Sequence, residues 1–149
     1  MNGITRIVAG YHASQAGLTA LGTATDLAER MNAELHVVHA IDLSDYPVDP
    51  DRADWEEYAR ERLASQRENI DAVMSNFSGL GFVHIHRGDA FVVLCQIANQ
   101  YDAAMIVIGS RTGGLARVER FAALSVVGKL LNHPGRPVLV VPTSPDAHS

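Results

Sequence analysis

Short β-rich runs alternate along the chain with segments of helical periodicity, and this alternation limits the fold more than any other feature. Residues 4–10 (ITRIVAG), 34–40 (ELHVVHA), 82–87 (FVHIHR), 103–109 (AAMIVIG) and 137–141 (PVLVV) read as strands. After the first strand, Leu18, Leu21, Thr25, Ala28 and Met31 recur at the spacing of one helix face. The second strand leads into DLSDYPVDPD, which Pro47 and Pro50 break too often for regular structure. A long amphipathic helix follows over residues 52–77, with Trp55, Tyr58, Ala59, Leu63, Ile70, Val73, Met74 and Phe77 as its apolar stripe. On its wet side Arg52/Glu56, Glu56/Arg60 and Arg67/Asp71 stand one turn apart, so the charge here is a solvated face. Ser78, Gly79, Leu80 and Gly81 stop that helix. Asp89 is placed to cap the next one, whose buried face is Phe91, Leu94, Cys95, Ala98 and Tyr101. A last helix spans roughly residues 118–132.

Strands separated by helices require crossover connections, and right-handed crossovers generate a parallel sheet. Strands that are apolar along their length fit a sheet covered by helices on both faces. The expected fold is therefore α/β, a doubly wound, five-stranded parallel sheet. At 149 residues the chain is one domain, assigned to residues 1–142, with residues 143–149 (TSPDAHS) as a polar tail.

A net charge of −5 leaves no general basic face for nucleic acid or an anionic membrane. The apolar runs at 105–108 and 138–141 are too short to cross a bilayer. No charged-then-apolar leader precedes the first strand, so the expected location is cytoplasmic. In that compartment the sequon Asn76-Phe77-Ser78 has no meaning. The single cysteine, Cys95, forms no internal disulfide and fits a reducing environment.

In a doubly wound sheet the ligand crevice lies beyond the carboxyl ends of the strands, where the strand order reverses. Two loops qualify. Gly10, Tyr11, His12, Ala13 and Ser14 leave the first strand; Gly109, Ser110, Arg111, Thr112, Gly113 and Gly114 leave the fourth. A glycine-rich turn that opens a helix offers unpaired N–H groups to an anion, and Arg111, Arg117 and Arg120 add positive charge nearby. The simpler alternative is that the glycines only permit a tight turn and the arginines solvate a helix. GxxxxGK[ST], a strand followed by GxGxxG, GxSxG and HExxH are all absent. Cys95 falls on an apolar helix face and reads as a small core residue. His84 and His86 share a strand face, but two ligands without a third make a poor metal site. His36 and His39 point to opposite faces. No constellation supports catalysis.

Taken in order, these segments resemble the universal stress protein family over nearly the full length. Gly10-Tyr11-His12-Ala13-Ser14 is similar to the family's V-G-Y-D-G-S start, and residues 34–40 to its A-E-L-x-x-x-H-V strand. Gly88-Asp89-Ala90 resembles its G-D-P turn, residues 106–111 (IVIGSR) its V-V-G-S-R, and residues 133–141 its H-x-x-x-P-V-L-V-V ending. The resemblance implies strand order 3-2-1-4-5, an adenine-nucleotide alpha-hydrolase-like fold and a homodimer.

It also implies an ATP site, because one branch of the family binds ATP through G-x-x-G-(nine residues)-G-[S/T] after the fourth strand. Carried over, the site comprises Gly10, Tyr11, His12, Ala40, Gly109, Ser110, Arg111, Gly113, Gly114 and Ser125, with magnesium only if ATP is the ligand. Ala40 corresponds to the apolar residue lining the adenine. The pattern is altered: Thr112 stands at the second glycine, Leu124 replaces the last glycine, and His12 replaces the acidic residue directed at the base. A side chain at a phosphate-facing glycine takes up space the anion needs, whereas a neutral histidine can supply the lost acceptor in one tautomer. The implied function is a cytoplasmic binding or regulatory module with an altered adenine-nucleotide site. The alternatives are the same fold without nucleotide, working through protein contacts, and a slow ATPase. In the implied order the fifth strand is an edge, and Val138, Leu139, Val140 and Val141 carry no charge to discourage pairing. Pairing with the same strand of a second copy is the symmetric remedy, and Pro142 is expected to end that ladder.

Overall fold

The structure is a computed structural model and describes residues 3–12, 14–41, 55–111, 126, 128–132 and 135–143. Its elements run β1 (Arg6–Gly10), α1 (Gln15–Met31), β2 (Glu34–Ile41), α2 (Trp55–Met74), β3 (Gly81–Arg87), α3 (Ala90–Gln100), β4 (Met105–Arg111) and β5 (Val138–Thr143). The strands pair in parallel as a five-stranded sheet in the order β3-β2-β1-β4-β5. Residues 126 and 128–132 are helical, while residues 112–125, the start expected for the last helix and the Pro47/Pro50 connection lie outside the described residues.

The alternation of side chains across each strand divides the core in two. On one face Ile7, Ala9, Leu35, Val37 and Val107 pack with Leu21, Ala24 and Ala28 of α1 and Ile70 of α2. On the other, Val8, Val38, Ile106 and Ile108 pack with Val93, Leu94, Ile97 and Ala98 of α3 and with Leu130. Burying apolar side chains on both sides is what drives the strands together and excludes water from their backbone. No described helix is long and apolar enough to cross a membrane.

Asp89 caps its helix as expected, and both ends of α1 are capped as well. Ser14 caps α1 by accepting from the Gly17 N–H at 3.1 Å, and Asp89 caps α3 by accepting from the Val92 N–H at 3.2 Å. At the other end of α1, Asn32 takes the left-handed conformation (φ 54°) and donates back to the last carbonyls. Of the exposed pairs on α2, Arg67 and Asp71 form their ion pair at 3.0 Å; Arg52 and the side chain of Glu56 lie outside the described residues.

Several element boundaries and one helix face differ from expectation. Ser110 and Arg111 belong to β4, not to a loop, because β5 continues beside them and offers ladder partners: Ser110 pairs with Pro142 and Arg111 with Thr143. Within the sheet β5 runs on past Val141, with Pro142 beside Ser110. An edge strand tolerates a proline, since the missing donor need not face a neighbour. On α3 the buried residues are Val93, Leu94, Ile97 and Ala98, with Phe91, Cys95 and Tyr101 only partly buried. So many positions of this helix are apolar that periodicity alone does not choose between adjacent stripes.

Candidate functional site

The strand register cuts a notch into the carboxyl edge of the sheet. β1 stops at Gly10, the partner of Val38, and its last pairing with β4 is Ala9 with Val107. On one side β2 runs on through His39, Ala40 and Ile41; on the other β4 runs on through Ile108, Gly109, Ser110 and Arg111. At about 3.3 Å per residue the flanking strands overhang β1 by roughly 10 Å. This is also where the strand order reverses, with β2 and β3 on one side and β4 and β5 on the other.

The floor of the notch is anchored from below. Tyr11 is buried (5% exposed); its N–H donates to the Val38 carbonyl at 2.8 Å and its hydroxyl to Gln66 Oε1 on α2 at 2.6 Å. Its ring meets His39 edge-on at 5.3 Å. The Tyr11 side chain therefore packs into the floor of the notch. His12 is exposed, and its carbonyl accepts from the Ser14 N–H at 2.7 Å as the chain turns into α1. Ala40 lies on the α3 face and is half-buried.

The two glycines that bound the notch have packing reasons of their own. A Cβ on Gly109 would stand 2.5 Å from the Ala16 carbonyl oxygen and 3.2 Å from the Ala20 methyl, so α1 approaches β4 at backbone distance only because that side chain is absent. A Cβ on Gly10 would meet Leu94 and Ile108 at 3.2 Å. Gly10, Tyr11, His12, Ala40 and Gly109 are thus brought to one end of the sheet. Ser110 and Arg111 reach it as the end of β4, and Gly113, Gly114 and Ser125, with Thr112 and Leu124, lie outside the described residues. At the opposite end a cavity of about 350 Å³ opens between Cys95, Asn99, Ile106, Leu130 and Val138. Among the described residues its one cation, Arg136, is bonded to Asp102 and the Ala103 carbonyl, and burial pushes the Cys95 thiol up, away from its reactive anion. That cavity is remote from the notch and contributes nothing to it.

One cluster escaped the sequence reading. Glu34 Oε1 accepts from Arg6 Nε at 2.9 Å and lies 3.3 Å from His36 Nε2, while His36 Nδ1 lies 2.9 Å from His84 Nε2. The buried His36 ring stacks on Tyr101 at 4.2 Å, Phe82 at 4.8 Å and His84 at 5.2 Å. Burial holds His36 below the ordinary histidine range, against the opposing pull of Glu34; burial and the neighbouring His36 and His86 do the same for His84. Burial tends to raise Glu34, but bonds from His36 and Arg6 outweigh it and keep the carboxylate ionised. The sequence does show that His84 and His86 share a face, and their rings are 6.4 Å apart. What it lacks is the inter-strand register that sets His36 opposite Phe82, one step from His84.

The chain matches the family described as Universal stress protein over residues 3–142. A protein of this family from Burkholderia pseudomallei is similar in structure at 25% identity and TM-score 0.67, over 93% of this chain and 96% of that one. A universal stress protein in complex with cAMP superposes at TM-score 0.66 and 21% identity, over 94% and 98% of the two chains. One from Archaeoglobus fulgidus in complex with dAMP superposes at TM-score 0.55 and 20% identity, over 95% and 99%. No curated protein matches significantly. The fold, the strand order and a family match spanning nearly every described residue agree, and this chain belongs to the universal stress protein family.

Proposed function

We propose that this chain binds an adenine nucleotide in the notch above Gly10 and serves as a cytoplasmic binding or regulatory module rather than an enzyme. The observation that carries the reading is the short β1 between two overhanging strands, which makes a concave site at the point where doubly wound sheets take ligands. The relatives solved with cAMP and with dAMP lend support, since both ligands are adenine nucleotides. The base would lie between His12 and Ala40, and the phosphates over Gly109, Ser110, Arg111, Gly113, Gly114 and Ser125. Arg111 would supply charge-assisted bonds, and magnesium would accompany ATP only. The working unit is a homodimer joined through β5. Calorimetric titration with ATP and magnesium, cAMP and AMP tests the site. Binding should weaken about tenfold on Arg111→Ala, the loss of one charge-assisted bond, and disappear on Gly113→Val. Binding that ignores both substitutions places the ligand elsewhere.

A second reading has its own observation. Gly109 is already explained by the close approach of α1, so its presence does not require a phosphate. With His12, Thr112 and Leu124 standing where the nucleotide-binding pattern has other residues, the same dimer could act through protein contacts alone. No heat with any of the three nucleotides at millimolar concentration selects that reading.

A further inference from the structure

We propose that His36 and His84 form a two-proton latch that holds the edge strand β3 to the sheet at neutral pH and releases it in acid, the second proton being the one that opens it. The tautomers follow from Glu34. A carboxylate only accepts, so His36 carries its hydrogen on Nε2, 3.3 Å from Glu34 Oε1. His36 Nδ1 is then a lone pair, and the 2.9 Å contact is a hydrogen bond donated by His84 Nε2. The only basic nitrogen left open in the pair is Nδ1 of His84. A first proton enters there, and the resulting cation still donates through Nε2, now more strongly. A second proton has only His36 Nδ1 to occupy. There it meets the Nε2–H of His84 head-on, removes the acceptor and sets two like charges in contact within a buried stack. The bond then has no acceptor, and the pair separates.

Apart from Glu34, which favours a cation on His36, the surroundings oppose that second charge. Arg6 on β1 is a fixed cation bonded to Glu34, and its guanidinium also donates to the Tyr101 carbonyl at 3.4 Å. Glu34 on β2 is the one anion in contact with the pair among the described residues, and it is already shared by Arg6 and His36. His86 on β3 stands 6.4 Å from His84, and Tyr101 at the end of α3 covers both rings as a neutral aromatic. His36 itself is 1% exposed, so water cannot screen a charge placed on it. The contact is a proton's and not a metal's: nitrogens 2.9 Å apart and facing each other leave no room for an ion that needs about 2.0–2.1 Å to each. Among the described residues no three metal-ligating side chains come together.

The latch sits where release has a consequence. β3 is an outer strand paired only with β2, in the register His36–Phe82, Val38–His84 and Ala40–His86. Both of its ends are exposed and Phe82 is 42% exposed, so little apolar burial holds it independently of the pair. The last of these pairings joins β3 to Ala40, and so, on the nucleotide reading above, acid loosening would reach the base pocket.

The test needs no ligand, so failure of the nucleotide reading leaves it intact. Histidine-labelled full chain is titrated by NMR from pH 8 to pH 4, and amide exchange is followed at Phe82 and His86 of β3, whose N–H groups face β2, and at Val107 of β4. Expected at pH 8 is an Nε2–H tautomer on both His36 and His84. On acidification the two rings should titrate in two linked steps. Corrected for intrinsic rates, β3 exchange should accelerate only across the second step, about tenfold per pH unit, while Val107 stays protected. His84→Gln keeps an N–H donor, can turn its amide to accept, and cannot be protonated, so β3 exchange should lose its acid response. Two rings titrating independently near pH 6.5, an Nδ1–H tautomer on His36, or an unchanged acid response in His84→Gln each overturn the latch. Should that variant not fold, the tautomers and linked titration of the wild-type chain decide alone.

Discussion

The two edges of this sheet face the same hazard and meet it with different chemistry. An edge strand leaves half of its N–H and C=O groups unpaired and invites another strand. β5 is aliphatic from Val138 to Val141, and Leu139 is 39% exposed. β3 alternates Phe82, His84 and His86 on one face with Val83 and Ile85 on the other, and it is exposed at both ends. An aliphatic edge gains by being covered for good, since its driving force scales with apolar area and does not respond to pH. An imidazole edge adds to its backbone ladder a few directional side-chain bonds whose strength depends on where the protons are. One edge thus suits permanent assembly, and the other suits reversible opening.

The largest effect should come from spoiling the aliphatic edge. Val140→Lys or Leu139→Lys puts a charge where a second copy would pair. Self-association should weaken roughly a hundredfold, equivalent to about 2.8 kcal/mol. Light scattering should show the dimer becoming monomer or insoluble protein. A wild-type monomer at micromolar concentration breaks the comparison, and a dimer indifferent to lysine moves the interface to another surface.

Next comes the polar edge at neutral pH. Glu34→Gln removes the anion that Arg6 and His36 share and leaves the fixed cation of Arg6 without a counter-charge. The expected loss is about 2 kcal/mol in urea denaturation, the cost of a broken, largely buried polar network. A loss as small as that of an exposed pair, such as Asp26 with Arg30, would mean that the network does not hold the edge.

Acid should then distinguish the edges without mutation. His36 and His84 both titrate lower in the folded chain than in the unfolded one. Below about pH 6.5 the unfolded chain therefore binds more protons, and stability falls as pH drops from there towards the folded values. Glu34, whose pKa is depressed, adds a further loss at lower pH, in the carboxylate range. The histidine contribution should appear as a fall in stability below about pH 6.5, before the carboxylate range is reached. Thermal melts of wild type and His84→Gln should differ in slope over that range while the dimer persists in both. Equal slopes would assign the acid response to other groups.

The smallest effect belongs to the middle of the sheet. Tyr11→Phe removes only the hydroxyl bonded to Gln66 and should cost about 1 kcal/mol, with no change in dimerisation or in acid response. If it disturbs either edge, the notch floor is coupled to them more tightly than this packing suggests.

Much of this molecule is legible in its sequence because its signals are local. Strand and helix periods, the Asp89 cap, the breaker at residues 78–81 and the shared face of His84 and His86 all depend on residues a few positions apart. Strand order and the chemistry of the notch came from resemblance, since nothing local states which strand lies beside which. Only the tertiary structure decided the rest, and in each case the cause is a contact across elements. β4 extends through Ser110 and Arg111 because β5 lies beside it to pair with them. Gly109 is bare because α1 crosses it at Ala16. Tyr11 turns inward because Gln66, on a helix 55 positions later in the chain, waits for its hydroxyl. His36 is an ordinary strand histidine in sequence. It becomes the centre of a proton-ordered chain because parallel register sets it between Glu34 and His84, and burial leaves its nitrogens no water to bond instead.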